Sequence, residues 1–174
     1  KQVLAHAVEH LQTKHHADQA HVEPGIAFAD VAEFVRHQPL QFFARKVFER
    51  ALRGMLRRLP GRKIVFSNAP RHYARAALSI MGISRLFEDV VGIEDLDYHP
   101  KPGIRAYRSL LHAQRLRPEQ CIMLEDSAVN LRTAKRLGMR TVLVGGGLRT
   151  PAYVDLRIPN ILALRRQLGR LQVR

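Results

Sequence analysis

The sequence is poor in the residues that mark exported, membrane-spanning or disulfide-linked proteins. It has one cysteine, Cys121, so an intramolecular disulfide and a Cys-x-x-Cys metal or redox motif are both excluded. Tryptophan is absent, and no apolar run approaches the roughly 18–20 residues that a membrane span needs. The opening residues KQVLAHAVEHLQ lack the basic, apolar and small-residue order of a signal peptide. These absences predict a soluble protein of the reducing cytoplasm with no membrane partner.

Acidic residues are also scarce, with 15 Asp and Glu against 29 Lys and Arg, which gives a net charge of +14. Such an excess favours anionic partners: phosphates, nucleic acid or anionic surfaces. Aromatic residues make up only 6% of the chain, and no arginine-rich stretch is interleaved with stacking side chains. Most basic residues are scattered singly, and one cluster stands out: Arg57, Arg58, Arg62 and Lys63. The distribution disfavours nucleic-acid binding as the main function and indicates that most basic residues lie on solvated helix faces.

The pattern of apolar residues changes near Pro60. Residues 2–12 and 30–59 have helical periodicity, which predicts an all-helical segment over residues 1–59. Residues 60–150 alternate helical segments with short apolar runs, at 64–66, 90–93, 121–124 and 141–144. This alternation predicts a parallel α/β sheet, with helices that begin after Pro70 and Pro102 and one that ends at Gly138. Residues 151–174 are predicted to form a loop and a basic helix over 161–171.

Polar residues follow or flank the predicted strands where ligands bind in parallel α/β sheets, at the strands' carboxyl ends. Ser67 and Asn68 follow the first run, Lys101 lies in HPKP before a helix, and residues 125–127 follow CIML. A hydroxyl, an ammonium and paired carboxylates suit a phosphate bound beside a divalent cation. Taken singly, each group also has a structural interpretation. Ser67 and Asn68 can cap a helix, Lys101 can be a surface residue, and the acids can stabilise a helix N-terminus.

The three motifs in their order, IVFSNAP, YHPKPGIRAY and CIMLEDSAVNLRTAKRLGMRTVLV, resemble the haloacid dehalogenase (HAD) superfamily of phosphohydrolases. Over about residues 30–147 the chain is most similar to the pyrimidine 5′-nucleotidase branch. The resemblance implies an α/β fold, a Rossmann-like parallel sheet with a partial helical cap. It also implies Mg²⁺-dependent phosphomonoester hydrolysis of a nucleotide or a similar small phosphate.

The resemblance also assigns roles to individual residues. Ser67 is implied as a phosphate-binding and catalytic residue, with Asn68 beside it in the phosphate site. Lys101 is implied as the lysine that binds phosphate and assists catalysis. Asp126 is implied as the Mg²⁺ ligand, with Glu125 as its acidic companion and Ser127 as a further contributor to the metal shell.

The family's first motif, an apolar strand that ends in Asp-x-Asp and supplies the nucleophile, has no counterpart upstream of Ser67. Asp30 comes nearest, but Ala32 stands in place of the second Asp, and the spacing of Asp30 and Glu33 favours a helix N-cap. We therefore predict that the chain begins inside the cap and that the sheet lacks its central strand. The motif assigns no residue as the nucleophile, which stays unknown. The alternative function is a catalytically inactive relative that binds a phosphate ligand or a protein partner.

Three remaining features favour structural interpretations. Cys121 opens an apolar run, which predicts a buried small residue. The GGG at residues 145–147 lacks the lysine and the helix of a P-loop, so it predicts a flexible exit from a strand. Five histidines near the start lack a cysteine or clear carboxylate partner and are predicted to be solvated: His6, His10, His15, His16 and His21.

Overall fold

The computed structural model describes residues 2–5 and 39–171, and the described chain forms one sheet with helices on both faces. Six strands are hydrogen-bonded in the order β3-β2-β1-β4-β5-β6, and every neighbouring pair is parallel. The strands are β1 (Gln2–Ala5), β2 (Lys63–Phe66), β3 (Asp89–Val91), β4 (Cys121–Glu125), β5 (Arg140–Val144) and β6 (Leu156–Ile158). This order is that of a doubly wound Rossmann-like fold, in which strands are added on one side of β1 and then, from β4 onward, on its other side.

The described α-helices are α1 (Pro39–Arg58), α2 (Arg71–Ile80), α3 (Ile104–Ala113), α4 (Ala128–Arg136) and α5 (Leu164–Gln167). They cover the sheet from two sides because successive side chains of a strand point to opposite faces. Val65 faces the core formed with α1 and α2, whereas Phe66 faces the core formed with α3 and α4. The two-sided burial accounts for the nearly continuous apolar runs in β2 and β4.

The predicted parallel α/β sheet is confirmed. The runs at 64–66, 121–124 and 141–144 are strands, the run at 90–93 is a strand only as far as Val91, and α2 begins directly after Pro70. Gly138 follows the end of α4 with a φ of 95°, a left-handed conformation that glycine adopts without steric cost. Cys121 is fully buried, as predicted.

The helical interpretation of residues 2–12 is wrong at Gln2–Ala5, which form the strand β1 in the middle of the sheet. Val3 is in register with Lys63 of β2 and with Ile122 of β4. A short apolar stretch fits a buried strand as well as a helix turn, and here the two flanking strands supply backbone partners on both sides. The expectation of a sheet without its central strand is therefore wrong, as is the placement of the chain's start within the cap.

Helix α1 was predicted as part of the cap segment, and its apolar stripe packs on the sheet. Leu52, Leu56 and Leu59 are buried in the same cluster as Val65 of β2. The cap assigned to the rest of residues 1–59, together with Asp30 and the five early histidines, lies in residues 6–38, outside the described residues. The boundaries at residues 59 and 150 stay a prediction.

The C-terminal part differs from the predicted loop and single helix. Residues 156–158 add the edge strand β6, where a loop was expected. The predicted helix over 161–171 is divided into two 3₁₀ turns, Ile161–Ala163 and Leu168–Arg170, on either side of α5. Across the described ranges, no helix is long and apolar enough to cross a membrane.

Candidate functional site

The polar groups of interest lie at the carboxyl edge of the sheet, around its central strand. Strands β2 and β4 both pair with β1, and they end at Phe66 and Glu125. Ser67 and Asp126 are therefore the first residues beyond two strands that flank the same neighbour. The strand order reverses at β1, and ligands of open α/β sheets usually bind beyond the strand ends at such a point.

Lys101 connects the ends of the two flanking strands. Its Nζ atom donates to the backbone oxygen of Phe66 at 3.0 Å and to Glu125 Oε1 at 2.6 Å. The side chains of Lys101 and Glu125 are both 0% exposed, so this ion pair is shielded from water. Nζ also lies 5.0 Å from the centre of the Phe66 ring, a cation–π distance. The charge of Lys101 is thereby fixed at one point of the edge.

Asn68 holds the backbone of Lys101. Its side-chain Nδ2 donates to the Lys101 backbone oxygen at 3.1 Å, and its Oδ1 accepts from the Lys101 backbone N–H at 2.8 Å. This reciprocal pair fixes a loop residue that lies between β3 and α3 against the end of β2. In this geometry the amide of Asn68 positions Lys101, and its predicted contact with phosphate stays a prediction.

Ser67 is fully buried at the start of a tight turn. Its backbone N–H donates to Val91 of β3 at 2.9 Å, and its Oγ accepts from the Ala69 N–H at 3.0 Å. A hydroxyl that accepts one hydrogen bond still has its own hydrogen to donate. The Ser67 hydroxyl therefore keeps its hydrogen available for donation, and its predicted contact with phosphate stays a prediction.

Glu125 is held by residues from two helices that the sequence reasoning missed. Asn130 of α4 is buried, and its Nδ2 donates to Glu125 Oε1 at 3.0 Å. The Tyr107 hydroxyl of α3 donates to the backbone oxygen of Asn130 at 2.7 Å, and its ring packs edge-on against Phe66. The one sequence signal was an asparagine on the apolar side of a helix that starts just beyond the acids.

Asp126 and Ser127 follow Glu125 and are half-buried. The Ser127 N–H donates to Glu125 Oε2 at 3.3 Å. Among the described residues, no group of three or more His, Cys, Asp or Glu side chains forms a metal site. Mg²⁺, however, takes one or two protein carboxylates together with waters and substrate phosphate. The half-buried carboxylate of Asp126 beside Glu125 is compatible with that requirement.

The structure thus brings Ser67, Asn68, Lys101 and Glu125 together at one edge, with Asp126 next in the chain. The glycines at 145–147 leave β5 at the same edge, and Gly145 and Gly147 have φ angles of 131° and 148°. These values lie in the left-handed region and agree with a strand exit made of glycine.

Comparison with known proteins places these features in a family. A family model described as haloacid dehalogenase-like hydrolase matches residues 2–138. A phosphoglycolate phosphatase from Rhodospirillum rubrum is 32% identical over 123 residues, which is 68% of this chain and 50% of that protein. A validoxylamine A 7′-phosphate phosphatase from Streptomyces hygroscopicus subsp. limoneus is 31% identical over 75 residues, or 43% of this chain and 35% of that protein.

Solved structures show the same fold at lower sequence identity. A HAD phosphatase from Thermococcus onnurineus superposes with a TM-score of 0.58 at 24% identity, covering 67% of this chain and 54% of that chain. A beta-phosphoglucomutase from Clostridium difficile superposes with a TM-score of 0.59 at 17% identity, covering 69% and 54%. The matches to the curated relatives span between about a third and a half of those proteins' lengths. Since the family model covers well over half of the sequence, the chain belongs to the haloacid dehalogenase-like hydrolases.

Proposed function

We propose that this chain carries the phosphate-binding half of a phosphomonoester hydrolase site. The observation that supports the proposal is the buried Lys101 ammonium, fixed at 3.0 Å from the Phe66 oxygen and 2.6 Å from Glu125 Oε1. An ammonium at the carboxyl edge attracts a dianionic phosphate and stabilises the charge that develops as a phosphoryl group transfers. The relatives named above act on phosphorylated small molecules, which supports the same reaction class.

In the proposed site each residue has a separate task. The Ser67 hydroxyl donates to a phosphoryl oxygen, and Asn68 keeps Lys101 in place through its two bonds to the Lys101 backbone. Glu125 is a positioning residue, because it accepts from Lys101 and from Asn130 at the same oxygen. These contacts orient the donors before substrate arrives, so little reorganisation is needed on binding.

We place Mg²⁺ at Asp126, with Glu125 beside it. The metal would neutralise phosphate charge and polarise the phosphoryl group when it is bound. Asp126 supplies the half-buried carboxylate for it. The expected substrates are small phosphomonoesters. They include nucleotides, as the resemblance to the pyrimidine 5′-nucleotidase branch implies. The names of the two phosphatases above mention phosphoglycolate and validoxylamine A 7′-phosphate but no nucleotide, so a panel of phosphomonoesters that includes nucleotides should test this part of the proposal.

Calorimetry with inorganic phosphate in the presence of Mg²⁺ tests the phosphate site. We expect Lys101→Ala to weaken phosphate binding by at least about tenfold, because a buried charge that faces the anion is lost. Lys135→Ala is the matched control, since Lys135 pairs with Asp155 at the amino edge of the sheet. Equal affinities for the wild type and Lys101→Ala would contradict the proposed site.

A second candidate, binding without turnover, is favoured by the residues that follow the central strand. The chain continues from Ala5 of β1 as His6, Ala7 and Val8, where the family has its Asp-x-Asp. Without an acid there, the covalent route through an aspartyl phosphate is lost. This candidate keeps the phosphate site and predicts little or no hydrolysis.

An assay of p-nitrophenyl phosphate with Mg²⁺ separates the two candidates. The informative variant is the double substitution His6→Asp and Val8→Asp. Its turnover is compared with that of the wild type after calorimetry has shown that both bind inorganic phosphate with equal affinity. If the double variant hydrolyses the substrate and the wild type does not, the result supports the candidate in which the wild type binds phosphate without hydrolysis. Robust Mg²⁺-dependent turnover in the wild type supports the hydrolase and requires another acid, such as Asp30, as the nucleophile.

A further inference from the structure

A network of hydrogen bonds joins the turn that carries Ser67 to a second turn at the carboxyl edge. The first turn, residues 67–71, leads from β2 into α2, and the second, residues 91–95, leads from β3 into the 3₁₀ turn Ile93–Leu96. Two backbone bonds connect them: the Ser67 N–H donates to Val91 at 2.9 Å, and the Ile93 N–H donates to Ala69 at 3.2 Å. The turn that carries Ser67 is therefore anchored to its neighbour at its first residue and at its middle, Ala69.

Asp95 is the centre of the side-chain part of this network. Its Oδ2 accepts from Arg71 Nε at 2.8 Å and from the Gly92 N–H at 2.8 Å, and its Oδ1 pairs with Arg71 Nη2. The hydrogen bond that Arg71 donates to Asp95 raises the pKa of the Arg71 guanidinium above its ordinary value, against the opposing effect of burial. A bidentate arginine–carboxylate pair fixes orientation as well as distance.

Two further contacts make the junction tight. Glu94 Oε1 accepts from the Arg71 backbone N–H at 2.8 Å, at the first residue of α2. A Cβ atom on Gly92 would lie 2.3 Å from the Arg71 backbone nitrogen, so only glycine allows this approach. The position of the Ser67 turn thus depends on how residues 92–95 hold Arg71.

We propose that Asp95 is a positioning residue, which sets the Ser67 hydroxyl for phosphate through Arg71 and Gly92. The inference rests on the proposed phosphate site and adds a residue to it. Removing the Asp95 carboxylate raises the net charge by one, which by itself favours anion binding. A weaker affinity in Asp95→Asn would therefore report lost positioning, because the simple charge effect has the opposite sign.

The experiment measures inorganic phosphate binding by calorimetry in the full chain with Mg²⁺. We expect Asp95→Asn to weaken binding by about tenfold, the lower end of the effect of positioning groups around a bound ion. Asp155→Asn is the matched control, since it removes an ion pair with Lys135 and changes the charge equally at the amino edge. The control should bind phosphate with unchanged affinity.

A double-mutant cycle separates positioning from general destabilisation. If Asp95 acts through Ser67, then Asp95→Asn should have no further effect on affinity in a Ser67→Ala background. Additive losses would overturn the proposal, and so would an unchanged affinity in Asp95→Asn. Arg71→Lys keeps the charge but not the bidentate pair, so it should reproduce the loss of phosphate affinity. It replaces Asp95→Asn in the experiment if that variant does not fold. Lys101→Ala distinguishes failure of the Asp95 inference from failure of the phosphate site. An unchanged phosphate affinity in Lys101→Ala would contradict the phosphate site itself.

Discussion

Replacing Lys101 with methionine should remove a large part of the folding stability. Methionine has a similar length but no charge, so the Glu125 carboxylate would stay buried without its cation. Removing one partner of a buried ion pair costs about 3–5 kcal/mol, and the Phe66 carbonyl also loses its donor. Against a total stability of roughly 5–15 kcal/mol, this loss should shift the urea midpoint strongly.

The double variant Lys101→Met with Glu125→Gln tests whether the buried charge is the cause. The glutamine side chain would be neutral and would keep an oxygen for the Asn130 amide, which donates to Glu125 at 3.0 Å in the wild type. We therefore expect the double variant to be more stable than Lys101→Met alone, with a coupling of about 2 kcal/mol.

Equilibrium urea unfolding, followed by far-UV circular dichroism, measures these differences. Lys135→Met is the control, because its pair with Asp155 is partly exposed, and such pairs contribute about 0–1 kcal/mol. A loss below about 1 kcal/mol in Lys101→Met, or additive effects in the double variant, would refute the reasoning from burial.

Four further predictions concern other parts of the chain. Burial raises the pKa of Asp155, but the hydrogen bonds from Lys135 and Thr141 outweigh it and lower the pKa below its ordinary value. The stabilisation by the Asp155 carboxylate is thus present above the pKa of Asp155 in the unfolded chain, and it is lost as the pH falls through the lower pKa of the folded protein. Urea midpoints of wild type and Asp155→Asn should therefore converge in acid. Burial raises the pKa of Cys121 to about 11, so a thiol reagent at neutral pH should label it only after unfolding. Gly92→Ala should lower the unfolding free energy by about 1–3 kcal/mol in urea titrations, because its Cβ meets backbone. Asp126→Asn should weaken Mg²⁺ binding in calorimetry while the fold is kept, and an unchanged affinity would remove Asp126 from the metal site.

Local sequence patterns were sufficient for most of the sheet. The runs that became β2, β4 and β5 are apolar because both of their faces are buried, and those in β2 and β5 are also rich in β-branched residues. Pro70 and Gly138 mark helix ends through their restricted or permissive φ angles. The order of Ser67, Lys101 and Glu125 along the chain was also readable, since each follows or flanks a predicted strand.

Other features depended on contacts between distant residues. The four residues of β1 have no strand pattern of their own, and only the open backbone groups of β2 and β4 define them as a strand. The edge strand β6 is three residues long and pairs with β5 alone. Segments this short are determined by their partners, because their own propensity is too weak to specify a conformation.

Local patterns in the chain were sufficient to predict the family, the parallel sheet and the residue types near its carboxyl edge. They did not reveal that Glu125 holds Lys101, that Asn130 holds Glu125 or that Asp95 pairs with Arg71. The physical reason is that hydrogen bonds of buried polar groups are satisfied by whichever partner the packing brings within about 3 Å. Arg71 and Asp95, and likewise Lys101 and Glu125, are 24 positions apart in the chain. Local periodicity carries no information about contacts over such a sequence separation.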